Sequence, residues 1–318
     1  MNFILENVFT VNFWFAVLRV TTPLIWASLA AAISIKSNAI NIAIDGIMLV
    51  AALVGVIVSG YLHNLYLAVF LAILAGICLT CLLGYFSLKL NTDIFIGGIA
   101  LNMFASGISI SILYLTTHDK AVSSSLKSQV LPSWDIPVIK DIPVVGSVLS
   151  GHNTLTYLAF VGIIFYYFLL YHTKLGLRIR AVGENPEAVK SAGISVFRTK
   201  FTALIISGFF ASLGGIFLSM GYLSFFVKDM TGGRGFMGLA IALMSECHPL
   251  GMFFSSALFG VTMQVVNNIK TLKIPPELVE IIPYAMAILV LIFYGINKRR
   301  KWGRKKLQLE ETNAEVTS

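Results

Sequence analysis

The chain has 318 residues, of which 57% are hydrophobic and only 12% are charged, whereas a soluble domain carries about 25% charged residues. This composition excludes an ordinary soluble domain and predicts an all-α membrane protein with many spans. The formal net charge of +8 is concentrated in a central segment and in residues 298–306, which indicates membrane orientation and contact with anionic lipid rather than nucleic-acid binding.

Apolar runs long enough to cross a bilayer recur along the chain. They predict a helical bundle of about nine spans, within a range of eight to ten, in a membrane domain covering residues 1–300. The predicted spans are Phe13–Ser34, Asn38–Ser59, Asn64–Ser87, Asp93–Leu115, Asn153–Tyr171, Phe201–Leu223, Gly235–Cys247, Leu250–Ile269 and Val279–Ile296. Residues 301–318 are predicted to be a basic cytoplasmic tail that is partly disordered.

The central segment, residues 174–200, carries six basic and two acidic residues. The positive-inside rule places this segment and the basic tail on the cytoplasmic side. Counting spans outward from these two anchors puts residues 34–38 and 87–93 inside, and residues 116–152 and the N-terminus outside.

Within the central segment, the residues from Lys174 to Glu184 are interpreted as a basic interruption that breaks the helical pattern. Asn185 is then a favourable N-cap, Pro186 suits the first helical position and Glu187 complements the positive end of the helix dipole. Gly193 is placed to end the helix in a left-handed conformation. A short, exposed cytoplasmic helix of about two turns is therefore predicted.

Polar residues recur on single faces of three predicted spans, where a polar group needs a protein or water partner. The three sets are Asn38, Asn41 and Asp45; Asn102, Ser106 and Ser109; and Gln264 and Asn268. Two interpretations stay open. These side chains either hold helices together, or they line a path for an uncharged solute that forms hydrogen bonds.

Motifs for an enzyme are missing from the sequence, which contains no GxxxxGK[ST], HExxH or GxSxG pattern. The five histidines lie scattered at span ends, so no metal site and no cofactor are expected. The glycine-rich run 232–235 is interpreted as a flexible hinge in an external connection before the short seventh span. The chain is therefore predicted not to be an enzyme.

Several motifs, in this order and spacing, resemble the permease subunits of ATP-binding cassette (ABC) importers for branched-chain amino acids and sugars. The resemblance is greatest to the nucleoside (simple sugar) permeases, and it runs from about Thr21 to Lys298. The motifs are Thr22-Pro-Leu-Ile25, Asn41-Ile-Ala-Ile-Asp-Gly-Ile-Met48, Gly176-Leu-Arg-Ile-Arg-Ala-Val-Gly-Glu-Asn-Pro-Glu-Ala188, Gly233-Arg-Gly-Phe236, His248-Pro-Leu-Gly251 and Ile282-Pro-Tyr284.

The resemblance implies a multi-pass protein of the bacterial plasma membrane that moves nucleosides by alternating access. It implies three protein partners: a separate ABC ATPase, a second and different permease subunit, and an extracellular substrate-binding lipoprotein. It also implies that the short helix couples the chain to the ATPase, through Glu184, Asn185, Pro186, Glu187, Ala188 and Gly193. Simple sugars or branched-chain amino acids are alternative substrates, and a secondary carrier working without an ATPase is an alternative mechanism.

Overall fold

The computed structural model describes residues 10–126, 128–135 and 145–269, together with 285, 286, 288, 289 and 292. Within these residues the chain is almost entirely helical. The helices are α1 (Val11–Lys36), α2 (Ile44–Leu62), α3 (Leu65–Gly84), α4 (Ile94–Thr117), α5 (Val145–Leu149), α6 (Thr154–His172), α7 (Lys174–Glu184), α8 (Pro186–Ser191), α9 (Val196–Ile216), α10 (Arg234–Met244) and α11 (Pro249–Ile269). Two short π-helices, Tyr85–Lys89 and Phe217–Tyr222, continue α3 and α9.

Side-chain caps explain where many of these helices begin. A cap residue in an extended conformation accepts a hydrogen bond from a backbone N–H of the first turn, which has no partner inside the helix. Such caps are Thr10 for α1, Asn64 for α3, Asp93 for α4, Asn153 for α6, Thr173 for α7, Asn185 for α8 and Ser195 for α9.

Seven helices in the described part of the chain are long and apolar enough to cross a membrane: α1, α2, α3 with its π-helical extension, α4, α6, α9 with its extension, and α11. The predicted seventh span corresponds to α10, which has only 11 residues and is too short to cross a bilayer about 30 Å thick. The predicted ninth span, Val279–Ile296, and the tail fall almost wholly outside the described residues.

Helix α1 is the centre of the bundle. It packs against α6, α9, α10 and α11, and 83% of its most apolar stretch is buried. The run Ala30-Ala31-Ala32 is fully buried and lets neighbouring helices approach closely. Helix α4 lies at the other extreme, with only 22% of its most apolar stretch buried. One side of the bundle is therefore open for lipid or for another protein.

Segments that the charge pattern assigned to the same side of the membrane lie together at one end of the bundle. At the end designated inner, the Lys200 ammonium donates to the Asn38 carbonyl at 3.2 Å, and Gly183 lies directly against the Lys36 carbonyl. At the outer end, Gln129 donates to the His63 carbonyl at 2.8 Å, and Arg19 donates to the Tyr222 carbonyl at 3.0 Å. Residues 34–38 and 174–200 thus share one end, as predicted.

Two boundaries in the central segment differ from the prediction. Residues 174–184 form the regular helix α7 rather than an interruption, because Leu175, Ile179 and Val182 recur at helical spacing and turn toward the protein. The following span begins at Val196 instead of Phe201, because Ser195 caps it. The predicted short helix is confirmed as α8.

A small cap closes the outer end beside α1. Strands β1 (Ser133–Trp134) and β2 (His152–Asn153) pair antiparallel, and the buried His152 ring stacks on Phe15 with centroids 4.0 Å apart. Burial lowers the pKa of His152 and the Arg19 charge lowers it further, against the opposing effect of the hydrogen bond to the Val148 carbonyl. The ring is therefore neutral at pH 7.

Acidification is expected to destabilise this cap. The pKa of His152 is lower in the folded protein than in the unfolded chain, so its contribution to stability is full above the unfolded value and declines as the pH falls below it. Thermal unfolding in detergent between pH 8 and pH 5 measures this loss. His152→Gln keeps a donor for Val148 without titrating, so it should show a smaller loss of melting temperature on acidification. An equal loss in both proteins would contradict the role of His152.

Candidate functional site

Helix α2 begins inside the membrane rather than at the inner surface. Asn38 is left-handed (φ 51°), and residues 39–43 are not helical. The prediction that Asn38, Asn41 and Asp45 share one helix face is therefore wrong, since only Asp45 belongs to the helix. Irregular backbone at this depth is tolerated only where protein surrounds it or water reaches it.

Helix α10 also begins inside the membrane, and it lacks a cap of its own. Its N-cap is Gly233 (φ 74°), which has no side chain to accept a hydrogen bond. Asp45 of α2 supplies the acceptor instead: the Gly235 N–H donates to Asp45 Oδ1 at 2.9 Å, and the Thr231 hydroxyl donates to Asp45 Oδ2 at 3.0 Å. One carboxylate thus joins the starts of two helices.

The depth of this contact follows from α4. Asn102 Oδ1 accepts from the Gly46 N–H at 2.7 Å, and Asn102 Nδ2 donates to the Ile42 carbonyl at 2.9 Å. Asn102 lies eight residues from the inner end of α4, Ile94, and fifteen from its outer end, Thr117, or about 12 Å from the inner end at 1.5 Å per residue. We call the group Asp45, Asn102, Ser106, Asp229, Thr231 and Gly235 the midplane junction.

Close backbone approach makes glycine necessary at residue 235. A Cβ atom there would lie 2.6 Å from Asp45 Cα and 2.8 Å from Asp45 Cβ, and α2 cannot retreat because it packs on α3 and α9. The Arg234 guanidinium turns back to donate to the carbonyls of Met230 and Thr231, at 2.9 and 3.0 Å. The Arg234 guanidinium therefore closes the turn that leads into α10 and lies near Asp45.

Most of the predicted polar residues near the junction are held by bonds within the protein. Asn41 Nδ2 donates to the Ser207 hydroxyl at 3.0 Å, and Asn41 Oδ1 accepts from the Ala43 N–H at 3.0 Å. The Ser106 hydroxyl donates to Asp229 Oδ1 at 2.7 Å. The structure therefore brings Asn41, Asp45, Asn102 and Ser106 to one region.

The other predicted residues lie elsewhere. Asn38 is exposed at the inner end. On α11, Gln264 donates to Asn268 at 3.2 Å, and this helix packs mainly against α1. Gln264 and Asn268 thus bond to each other along one helix, away from Asn41, Asp45, Asn102 and Ser106.

Sequence reasoning missed Thr231 and Asp229, because they lie in a connection rather than on a periodic helix face. The glycine-rich run 232–235 was the available signal. It marks the start of a helix at the centre of the bundle, not an external hinge, since Gly233 is the N-cap of α10 and Gly235 lies against Asp45.

A second feature lies at the inner surface, where α7 and α8 form a helical hairpin. The predicted coupling residues Glu184 and Asn185 join the two helices, with Pro186, Glu187 and Ala188 in the first turn of α8. Asn185 Oδ1 accepts from the Ala188 N–H at 3.1 Å, and Gly193 ends the hairpin with φ 76°. An open groove of about 640 Å³ runs between α7 and α8, lined mainly by apolar atoms with Lys174 and Arg178 at its edge.

The chain as a whole matches a known family of membrane proteins. Residues 13–291 match the model of a family described as the branched-chain amino acid transport system permease component. The chain belongs to this family. As a family member with seven apolar helices in its described part, it is a multi-pass plasma-membrane permease of an ABC transporter.

Individual relatives match over most of their length. The nucleoside ABC transporter permease protein NupC of Lactococcus lactis subsp. cremoris is 27% identical, covering 86% of this chain and 89% of the relative. The guanosine ABC transporter permease protein NupQ of Bacillus subtilis is 28% identical, covering 87% and 89%. TsgC13 of Haloferax volcanii, named as a candidate glucose ABC transporter permease, is 29% identical, covering 82% and 79%.

The fold of the permease also resembles a solved structure. This is an ABC transporter of the metal-chelate type in an inward-facing conformation, with a TM-score of 0.52 and 17% identity, covering 88% of this chain and 84% of the solved chain. At this identity the likeness concerns the fold alone.

Removal of the shared cap should destabilise the permease. Asp45→Ala leaves the Gly235 N–H and the Thr231 hydroxyl without their acceptor, at an expected cost of about 1–2 kcal/mol. Asp45→Asn keeps one oxygen acceptor and should lose less. Thermal unfolding in detergent measures both changes.

Asp93→Ala is the matched control, because Asp93 caps α4 from an exposed position, with its carboxylate accepting from Phe95 N–H at 2.7 Å. Water can replace that cap. Equal stability of the Asp45→Ala and Asp93→Ala proteins would show that the shared cap contributes no more to stability than an exposed cap does.

Proposed function

We propose that this permease is the membrane subunit of an ATP-driven importer of nucleosides. The observation that carries the proposal is the match to NupC, a nucleoside permease, across 86% of this chain and 89% of the relative. The energy comes from ATP hydrolysis on a separate ATPase subunit, so the permease itself needs no catalytic residue.

The α7–α8 hairpin is proposed as the contact with that ATPase. Glu184, Asn185, Pro186, Glu187, Ala188 and Gly193 form its tip and its end, and Glu187 and Ala188 are exposed. The Asn185 cap and the Pro186 ring, which fixes φ, favour a rigid helix of six residues that otherwise has low intrinsic stability. A rigid helix transmits a displacement better than a mobile loop does.

Displacement of the hairpin would reach the midplane junction through two contacts. Gly183 of α7 lies directly against the Lys36 carbonyl at the end of α1, so movement of α7 bears on the central helix. Lys200 at the start of α9 holds the Asn38 carbonyl, which begins the irregular segment that leads to Asp45. These contacts support alternating access driven from the inner surface.

The path for the solute is proposed to run past the midplane junction. Substrate sites in membrane transporters lie near the bilayer centre, where interrupted helices begin. Asn41, Asp45, Asn102 and Ser106 belong to this region, with Asn38 at its inner entrance. Gln264 and Asn268, also predicted for the path, are instead assigned to the packing of α11.

Three protein partners complete the proposed importer. They are the ABC ATPase, a second permease subunit of a different sequence, and an extracellular substrate-binding lipoprotein. The open face of α4 supports a second permease, because a second subunit on that side would enclose the water that the charged group of Asp229 needs near the middle of the membrane. A charge at that depth needs protein or water beside it.

Simple sugars are the second candidate substrate. The observation that favours them is the match to TsgC13, the candidate glucose permease, at 29% identity. Nucleosides and sugars share a ring with neighbouring hydroxyl groups, so one path suits either class. The name of the family keeps branched-chain amino acids as a third possibility.

Uptake by the reconstituted complex tests the proposed function. Proteoliposomes containing the permease, its ATPase and its partner permease would receive a radiolabelled nucleoside with the binding protein, with and without ATP. We expect ATP-dependent accumulation that excess unlabelled nucleoside abolishes. Inhibition by glucose or leucine, but not by nucleosides, would contradict the proposal.

Variants of the hairpin test the coupling. Glu187→Lys places a positive charge at the positive end of the α8 dipole, and Gly193→Val forces a β-branched residue to φ 76°. Each is expected to abolish uptake while the protein remains in the membrane, which immunoblotting of membrane fractions measures together with transport.

Gly193→Asn is the matched control. A Cβ at residue 193 has no neighbouring atom within 4 Å, so only backbone strain separates the two substitutions, and asparagine tolerates the left-handed conformation. We expect Gly193→Asn to keep most uptake. Normal uptake in both the Glu187→Lys and the Gly193→Val proteins would remove the coupling role of α8.

A further inference from the structure

Asp229 stands apart from the other polar residues of the midplane junction. Asp45 and Asn102 of the junction, and Asn41 beside it, each bind partners through both of their side-chain polar atoms. Their hydrogen-bonding groups are occupied by the protein and hold α2 and α10 in place. Asp229 is exposed, so its carboxylate is open to a solute that reaches the junction.

Two hydrogen bonds place Asp229 near the middle of the membrane. Its Oδ1 accepts from the Ser106 hydroxyl at 2.7 Å, and Ser106 lies twelve residues from Ile94 and eleven from Thr117, at the middle of α4. The Asp229 carbonyl accepts from the Gly232 N–H at 3.0 Å in the turn that leads into α10. The carboxylate is therefore fixed between α4 and the start of α10.

The backbone also holds Asp229 in an unusual conformation. Its φ of 52° lies in the left-handed region, which aspartate adopts more readily than most residues. The preceding residues are anchored, since the Lys228 N–H donates to the Ala121 carbonyl at 2.8 Å. The exposed carboxylate is thus held on a constrained turn, not on a freely moving loop.

We propose that the Asp229 carboxylate recognises the two neighbouring hydroxyl groups of a ribose or a similar sugar ring as the solute passes. A carboxylate has lone pairs for about four hydrogen bonds, and Ser106 uses one of them. The remaining acceptors suit a pair of hydroxyl donors, and hydrogen bonds to a charged acceptor are stronger than neutral ones.

This inference rests on the proposed function and adds the chemical group that the permease recognises. Its test uses the reconstituted complex and two competing solutes, a ribonucleoside and the 2′-deoxyribonucleoside with the same base. The wild type should be inhibited better by the ribonucleoside, because the deoxy compound lacks one hydroxyl. Asp229→Asn should raise the KM for ribonucleoside uptake on the order of tenfold and reduce the difference between the two competitors.

Asp93→Asn is the matched control. Asp93 is also an exposed aspartate beside α4, but it caps the inner end of that helix, where its carboxylate accepts from the Phe95 N–H at 2.7 Å. This variant removes one negative charge about 20 Å along α4 from Ser106, at 1.5 Å per residue. We expect it to keep the wild-type KM and the wild-type preference for the ribonucleoside.

Thiol labelling gives a readout that does not depend on transport. Cys78, Cys81 and Cys247 would be replaced by alanine, and Asp229→Cys introduced in the assembled complex. A charged, water-soluble thiol reagent should modify residue 229, and excess ribonucleoside should slow that modification. A variant that is not modified by the reagent would place residue 229 against lipid or sealed within protein, and would overturn the proposal.

The outcomes separate the inference from the proposed function. If the complex moves no nucleoside under any condition, the proposed function fails. If it moves nucleosides but Asp229→Asn leaves the KM and the ribose preference unchanged, the proposed function stands and the role of Asp229 is wrong. A KM change that follows the base and ignores the 2′-hydroxyl also overturns the recognition of the sugar.

Discussion

The bond between Asp45 and the start of α10 is the contact on which the centre of this permease depends. A helix that begins inside a membrane exposes several N–H groups that water cannot reach. Gly233 cannot serve as their cap, because it has no side chain, but glycine is compatible with the left-handed conformation at that position. The acceptor comes from another helix, so α2 and α10 are positioned by the same carboxylate.

Close packing then extends this contact to the inner surface. Asn102 and Asn41 hold the irregular segment before α2 against α4 and α9. At the inner end of that segment, Gly183 of the hairpin lies against the Lys36 carbonyl, and Lys200 of α9 donates to the Asn38 carbonyl. Most of the polar atoms in these contacts form hydrogen bonds within the protein, so the contacts are well ordered. These contacts are the physical basis of the coupling proposed above, in which whole helices move together.

Much of this architecture follows from the sequence, and the failures have a common physical cause. Apolar length located the seven membrane helices of the described residues. The Asn185, Pro186 and Gly193 pattern located α8, because caps and turns depend on local chemistry. The same reasoning treated Asn38 to Asp45 as one helix and the glycine run as an outer hinge. Those segments are decided by contacts between residues far apart in sequence, such as Asp45 with Gly235, which periodicity cannot reveal.

The short length of α10 leaves part of one membrane crossing without helical hydrogen bonds. Eleven residues reach through about half of the hydrocarbon thickness, and irregular backbone completes the crossing. That backbone is held by bonds to distant residues, such as the one from the Lys228 N–H to the Ala121 carbonyl, because it has no helix to satisfy its polar groups. Its amide hydrogens are therefore expected to exchange with solvent before those of the long helices around it.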